Sequence, residues 1–384
     1  MAASSSARPS LRRRLATAAC LAATLAGAAA TPAAAQRGAP QLIRDTEIEE
    51  ILHQECDPIF AAAGLGKVDI LIVQDNDINA GTINGQTMAI NTGTILKADT
   101  PGEVQGVMAH ESGHAARGDT LRAGGEMMRA GLAPMILTLA LGVLAAAAGA
   151  PDAGLALAGS APGFGQLGSL GYSREMESRA DQAAVTYLEK AGYSAKGLVD
   201  FFDTMRYQEV FSEARRYKFF VDHPLSSDRI EALRRRAQEQ PHYNTPENPA
   251  LIERFEIMKA KLKAFTDYPQ QTFITYSETD TSFPARYARA IAYYKELDTD
   301  RAVKLIDGLI KDYPTDPYLY ELKGQVYFES GHPKEAEAAH AEAVKLKPGA
   351  PLLQVNLAQA ILAQDDGKRA DDAIPHLQKA LAVE

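Results

Sequence analysis

Between residues 41 and 62 apolar side chains return at helical spacing (Leu42, Ile43, Ile48, Ile51, Leu52) with acids between them, predicting an amphipathic helix. Gly64 and Gly66 close it, and residues 68–73 form a short apolar run of strand length. Residues 75–85 are rich in turn formers, and 87–91 read as a second strand. Asp99-Thr100-Pro101-Gly102-Glu103 then has the marks of a helix start. Thr100 can cap, Pro101 suits the first turn, and Glu103 meets the positive end of the helix dipole. That helix should cover 101–116 and bury Val104, Val107 and Met108, with another beginning near Asp119.

From 130 to 171 the only charged residue is Asp152. The apolar stretch 131–150 is just long enough to cross a bilayer. It reads as a buried or groove-covering helical hairpin, with peripheral membrane contact as the competing reading. The glycine-rich segment 151–171 predicts a loop. Helices are expected over 175–190, 198–213 and 251–264, with another after the caps Ser226 and Ser227. The last third repeats: Phe283, Pro317 and Pro351 stand 34 residues apart. Tyr320, Gly324, Tyr327, Ala336, Ala343 and Pro348 then fall in the order of a tetratricopeptide unit, with echoes on both sides and a three-residue slip at 364–369. Such units need neighbours, so the array should pack against the preceding domain.

Arg8, Arg12, Arg13 and Arg14 precede a short Ala/Leu stretch and small residues through Ala35, the order of features in a secretory signal peptide. Removing residues 1–35 takes away four arginines and no acid, moving the formal charge from -9 to -13. So acidic a chain has no electrostatic footprint for nucleic acid. Cys56 alone remains, so no internal disulfide can form.

The chemistry lies in His110-Glu111-Ser112-Gly113-His114. On a helix, imidazoles four residues apart share one face and can reach one ion, and zinc accepts such ligands while keeping a position open for water. Glu111 is placed to take a proton from that water and pass it to the leaving amine. The candidates for the third ligand lie in Tyr172-Ser173-Arg174-Glu175-Met176-Glu177-Ser178-Arg179-Ala180-Asp181. Glu177 and Asp181 share a helix face, and Asp181 could fix a ligand imidazole from behind. By spacing alone, Glu175 competes with Glu177.

At these residues the chain resembles the HtpX-like gluzincin metallopeptidases, among them the CAAX-prenyl endopeptidases, and especially their exported bacterial branch with C-terminal tetratricopeptide repeats. The likeness extends through Ile78-Asn79-Ala80, Ile90-Asn91-Thr92-Gly93, Thr100-Pro101-Gly102-Glu103 and His223-Pro224 with Arg229. It implies that Glu177, opening Glu-x-x-Ala-Asp, is the third zinc ligand. It also implies that Asn91, Thr92 and Gly93 lie on an edge strand where an extended substrate pairs. His223 could support the oxyanion, bind zinc in a resting state, or be a structural loop residue. Arg229 is expected to pair with a site carboxylate. Where the branch has a histidine soon after the motif, this chain has Gly118-Asp119, and no catalytic role is assigned there.

The expected fold is α+β and mainly helical: a gluzincin-type zinc peptidase domain with a small sheet over 36–264, then an all-α tetratricopeptide array over 265–384. The expected function is a periplasmic endopeptidase with one zinc per chain, acting on extended polypeptides of the cell envelope in quality control or assembly of outer-membrane proteins. A protein partner, such as outer-membrane assembly machinery, would dock on the array. The alternative is a periplasmic adaptor or chaperone whose zinc site is structural or self-inhibited.

Overall fold

In the computed structural model, which describes residues 41–83, 85–119, 137–138, 141, 151–211, 223, 225–364 and 369–382, the first apolar run divides in two. Leu42–Ile43 is a strand, β1, and the helix α1 starts only at Thr46 and runs to Ala63. The cause is Asp45, whose carboxylate accepts the Ile48 N–H at 3.0 Å and sets the helix start. Leu42 and Ile43 are thereby left to pair antiparallel with Val73 and Ile72. Helical spacing alone could not see that cap.

The sheet holds β1, β2 (Asp69–Val73), β3 (Ala80–Thr82) and β4 (Thr87–Asn91) in the order β1-β2-β4-β3. β4 runs parallel to β2 and antiparallel to β3. The turn-rich stretch therefore contains a strand, and that strand is one edge of the sheet, with β1 at the other. This corrects the placement of Asn91, Thr92 and Gly93. Asn91 ends the interior strand β4, while Thr92 and Gly93 begin the short helix α2 (Thr92–Lys97). Thr92 Oγ1 donates to Asp75 O at 2.9 Å and Thr94 Oγ1 to Asn79 O at 2.7 Å, stapling the loop before β3. A Cβ on Gly93 would stand 2.3 Å from Asn76 O, so the glycine serves this close approach.

Helix α3 (Pro101–Arg117) is buried along nearly its whole length. Thr100 occupies the cap position without a side-chain bond, and Glu103 instead accepts the Asp99 N–H at 2.9 Å. Glycines let two neighbours reach the α3 backbone. A Cβ on Gly106 would meet Leu198 Cα at 2.6 Å, and one on Gly113 would meet Ala180 O at 2.9 Å. Those neighbours are α4 (Pro151–Ala191) and α5 (Lys196–Phe211). Residues 151–171 are thus helical rather than loop. Glycines weaken a helix by about 1 kcal/mol each, a local preference that longer structure overrides. α4 ends at Gly192, where φ is 78° and the N–H returns to Glu189 O at 3.0 Å. α6 (Ser227–Gln238) is capped by Ser226.

α7 (Pro249–Thr266) links two cores. Phe255, Met258 and Leu262 join the core around α1, the sheet, α3 and α5, whereas Ala260 and Ala264 join the next core. Between them Lys261 is buried, its Nζ 2.7 Å from Asp45 and 3.0 Å from Glu47 at the start of α1. Tyr287 Oη also donates to Glu47, at 3.0 Å. After α8 (Pro269–Thr275) come paired helices: α9 (Phe283–Lys295) with α10 (Thr299–Asp312), α11 (Pro317–Glu329) with α12 (Pro333–Leu346), and α13 (Pro351–Leu362) with α14 (Ala370–Leu381). The first helix of each pair starts at Phe283, Pro317 or Pro351, the marks of the 34-residue spacing. This is helical-repeat packing, and at Gly324 the crossing is so close that a Cβ would lie 2.5 Å from the His340 ring.

Among the described residues no helix is long and apolar enough to cross a membrane. The leader expected over 1–35 lies outside them. So do the apolar run 131–150, apart from Leu137, Thr138 and Leu141, and the helix expected after Asp119. The slip at 364–369 is described only at its two ends.

Candidate metal centre

One turn of α3 turns His110 and His114 toward Glu177 on α4, and His223 reaches the same point from the segment before α6. One donor atom from each of the four lies within 4.8 Å of the others. His110 Nε2 stands 3.2 Å from His114 Nε2 and 3.3 Å from Glu177 Oε2. Glu177 Oε1 is 3.3 Å from His114 Nε2. His223 Nδ1 is 3.1 Å from Glu177 Oε2 and 3.3 Å from His110 Nε2. Glu175, the competing carboxylate, is paired with Arg179 at the exposed surface and stays out of the cluster.

Behind the cluster stands a shell of carboxylates and guanidinium groups. His114 Nδ1 is 3.1 Å from Asp119 Oδ2, itself held by Arg117 Nη2 at 2.7 Å. A carboxylate only accepts, so this bond keeps the proton on Nδ1 and turns the Nε2 lone pair inward. His110 Nδ1 lies 3.0 Å from Asp181 Oδ1, an ion-pair contact outside hydrogen-bond geometry. Arg229 donates through Nη2 to Asp181 Oδ1 at 2.8 Å and through Nε to the other oxygen, while its Nη1 sits 3.0 Å from Glu177 Oε2. Phe202 of α5 sets its ring edge-on to His110 at 5.7 Å and lies 5.1 Å from the Arg229 guanidinium carbon. From the sequence Asp119 is noted without a role and Phe202 is not singled out. Asp119 was legible as the first acid after the second histidine, but Phe202 carries no pattern that distinguishes it from core.

The electrostatics call for a cation. Burial pushes the His114 imidazole down, yet bonds from Asp119 and Glu177 outweigh it and raise it to about 10. His110 is raised too, Asp181 and Glu177 overcoming its burial. Burial pushes Glu177 up, but bonds from the three histidines leave it well below the carboxylate range. Among the described residues Glu111, Asp119, Glu177 and Asp181 meet Arg117 and Arg229 as fixed cations, so with His110 and His114 neutral, as ligands must be, two negative charges are left for a divalent ion to offset. Imidazole and carboxylate donors are those of zinc. Glu111 is 1% exposed, and its Oε1 has no hydrogen-bond partner. The nearest ring nitrogen to it is His223 Nε2 at 3.5 Å.

Comparison with known proteins agrees with this donor set. The profile described as Peptidase family M48 matches residues 44–237, about half of the chain. A Vibrio cholerae protein assigned as a beta-barrel assembly-enhancing protease is 26% identical over 344 residues, 88% of this chain and 70% of its own length. The beta-barrel assembly-enhancing protease of Escherichia coli is 24% identical over 339 residues, 85% of this chain and 67% of its own. The metalloprotease LoiP of Escherichia coli is 28% identical over 176 residues, 44% of this chain and 62% of its own. The chain belongs to peptidase family M48 and is a zinc metallopeptidase.

Proposed function

We propose that this member of peptidase family M48 is a periplasmic endopeptidase that cuts extended segments of cell-envelope polypeptides. The observation that carries the reading is the meeting of His110, His114 and Glu177 beside a buried Glu111 whose Oε1 accepts no hydrogen bond. His110, His114 and Glu177 would hold one zinc ion per chain. When bound, zinc polarises the scissile carbonyl and makes water acidic enough to attack near neutral pH. Glu111 takes the proton from the attacking water and returns it to the leaving amine, so no covalent enzyme intermediate forms. Asp119 and Asp181 hold the two imidazoles from behind, and Arg229 holds Asp181 and Glu177. The edge strand β3 lies against α3 and pairs only with β4 among the described residues, which supports substrate pairing along Ala80–Thr82.

His223 closes the cluster on its remaining side. We read this as a resting arrangement in which its imidazole takes the position that water needs, and from which substrate or a partner must move it. The same contact favours the second reading, an adaptor or chaperone with a self-inhibited centre.

The 34-residue spacing of Phe283, Pro317 and Pro351, each at a helix start, supports reading the last six helices as tetratricopeptide units that bind a protein partner. Similarity to beta-barrel assembly-enhancing proteases supports a role in assembly or quality control of outer-membrane proteins. Zinc analysis of the full chain, with denatured casein as substrate, tests the enzymatic reading. About one zinc per chain, lost in Glu177→Ala, with cleavage abolished in Glu111→Gln, supports it. Cleavage that survives Glu111→Gln overturns it.

A further inference from the structure

A cavity of about 270 Å³ opens between α7, α11, α12, α13 and the residues just before α1. Glu321 lines it and is 9% exposed. Its Oε1 accepts from Asn356 Nδ2 at 3.2 Å, but its buried Oε2 has no partner. A buried acceptor of this kind is costly to leave unmade, and a ligand that donates to it removes the cost.

The polarity of the remaining wall shows what is missing. Four of its nitrogen-bearing side chains are already engaged, while the buried His340 Nδ1 on the same wall has no hydrogen-bond partner. Lys261 Nζ is held by Asp45 and Glu47, and Arg44 Nε donates to Glu49 at 2.8 Å. Gln325 Nε2 donates to Glu329 at 3.2 Å, and Asn356 Nδ2 to Glu321. Because each amide nitrogen faces a carboxylate, each amide oxygen is turned away from it. Burial pushes the Glu321 carboxyl up, and Asp45, Glu47 and Asp316 add to this against the attraction of Lys261. Leu322, Phe328 and Leu352 also line the cavity and give it an apolar part beside its carboxylates.

We propose that this cavity seats a lysine side chain of a bound polypeptide, its ammonium on Glu321 and its methylene stem against Leu322, Phe328 and Leu352. A long aliphatic stem with a cationic tip satisfies both parts of the lining at once. The inference deepens the reading of the array as a polypeptide-binding arm, and gives that arm a preference of its own, apart from the metal centre.

The test uses the full chain carrying Glu111→Gln, so that no peptide is cut. Its probes are two labelled ten-residue peptides of serine, glycine and leucine that differ only in a central lysine or norleucine, titrated by fluorescence anisotropy. The lysine peptide should bind more tightly by at least about tenfold, the worth of a charge-assisted hydrogen bond. Glu321→Gln, isosteric and uncharged, should erase the difference. So should Gln359→Lys, which supplies a tethered ammonium from the cavity wall, and an unchanged thermal midpoint shows that this variant is folded. Equal binding of the two peptides, no binding of either, or a preference that outlasts both substitutions overturns the proposal. Casein cleavage by the unsubstituted chain is scored separately, so failure here leaves the peptidase reading standing.

Discussion

Arg229 holds Asp181 with two nitrogens, Nε and Nη2, while its third reaches Glu177. One side chain from α6 thereby fixes both a cluster carboxylate and the acid behind His110. The three groups are buried, at 9%, 1% and 2% exposure, so the guanidinium offsets charge that water does not reach. Arg229→Lys keeps the charge and loses the fork. It should weaken zinc binding about 10- to 100-fold, measured by competition with a chromogenic chelator. Arg229→Ala should also destabilise the zinc-free fold by about 3–5 kcal/mol, because it strands two carboxylates. Wild-type zinc affinity in Arg229→Lys would show that the fork does not shape the centre.

Asp119 should matter as an orienting group. Asp119→Ala removes the acceptor on His114 Nδ1 and the carboxylate that Arg117 holds, leaving Arg117 its bond to Met176 O. Zinc affinity should fall about 10- to 100-fold with little change in far-UV circular dichroism. Asp119→Asn keeps an acceptor oxygen and should lose less.

Gly113 should be irreplaceable for a reason unrelated to zinc. Its Cβ would press on Ala180 backbone at 2.9 Å, so Gly113→Ala must separate α3 from α4 and draw His110 and His114 from Glu177. A loss of about 1–3 kcal/mol in stability, together with lost zinc, is expected from urea titration and elemental analysis. Ser112→Ala, which gives up only a bond to Met108 O within the helix, is the control and should retain its zinc.

The zinc-free fold should have a distinctive pH profile. His114 is raised from 6.5 to about 10, so its contribution is complete below about pH 6.5 and lost as pH climbs through 10. Glu177 and Asp181 are lowered from 4.5 and 3.8, so theirs is present above those values and lost at lower pH. Chelated protein should therefore resist urea best between about pH 4.5 and 6.5 and weaken toward pH 10. Protons and zinc compete for the same imidazoles, so zinc affinity should rise over the range where zinc-free stability falls. A zinc-free stability that stays level from about pH 6.5 to 10 would remove the carboxylate shell as the cause.

What the sequence disclosed depended on how local the cause was. Strand Thr87–Asn91, the start of α3 at Pro101 and the helix starts at Phe283, Pro317 and Pro351 rest on short-range patterns and were legible. Leu42–Ile43 was misread because one capping carboxylate outweighed helical periodicity. Residues 151–171 were misread because glycine content lowers a propensity without deciding a structure. The edge strand was misassigned because strand order is a long-range property: Asn91 belongs to a strand, but β3 folds back to cover its open side. Pairing of Arg229 with a carboxylate was foreseeable from charge, whereas its simultaneous hold on Asp181 and Glu177 required three segments to meet.

α7 bears on how such a protein can be taken apart or diversified. Its successive turns insert Phe255 and Met258 into one core and Ala260 and Ala264 into the other, with Lys261 locked to Asp45 and Glu47 between them. A cut at 264/265 falls inside the helix and uncovers both sides of it. The peptidase half and the arm are therefore not interchangeable cassettes. An arm grafted from a relative must bring surfaces that match this helix and its buried lysine, so the sequence of the repeats is freest to vary toward their far end.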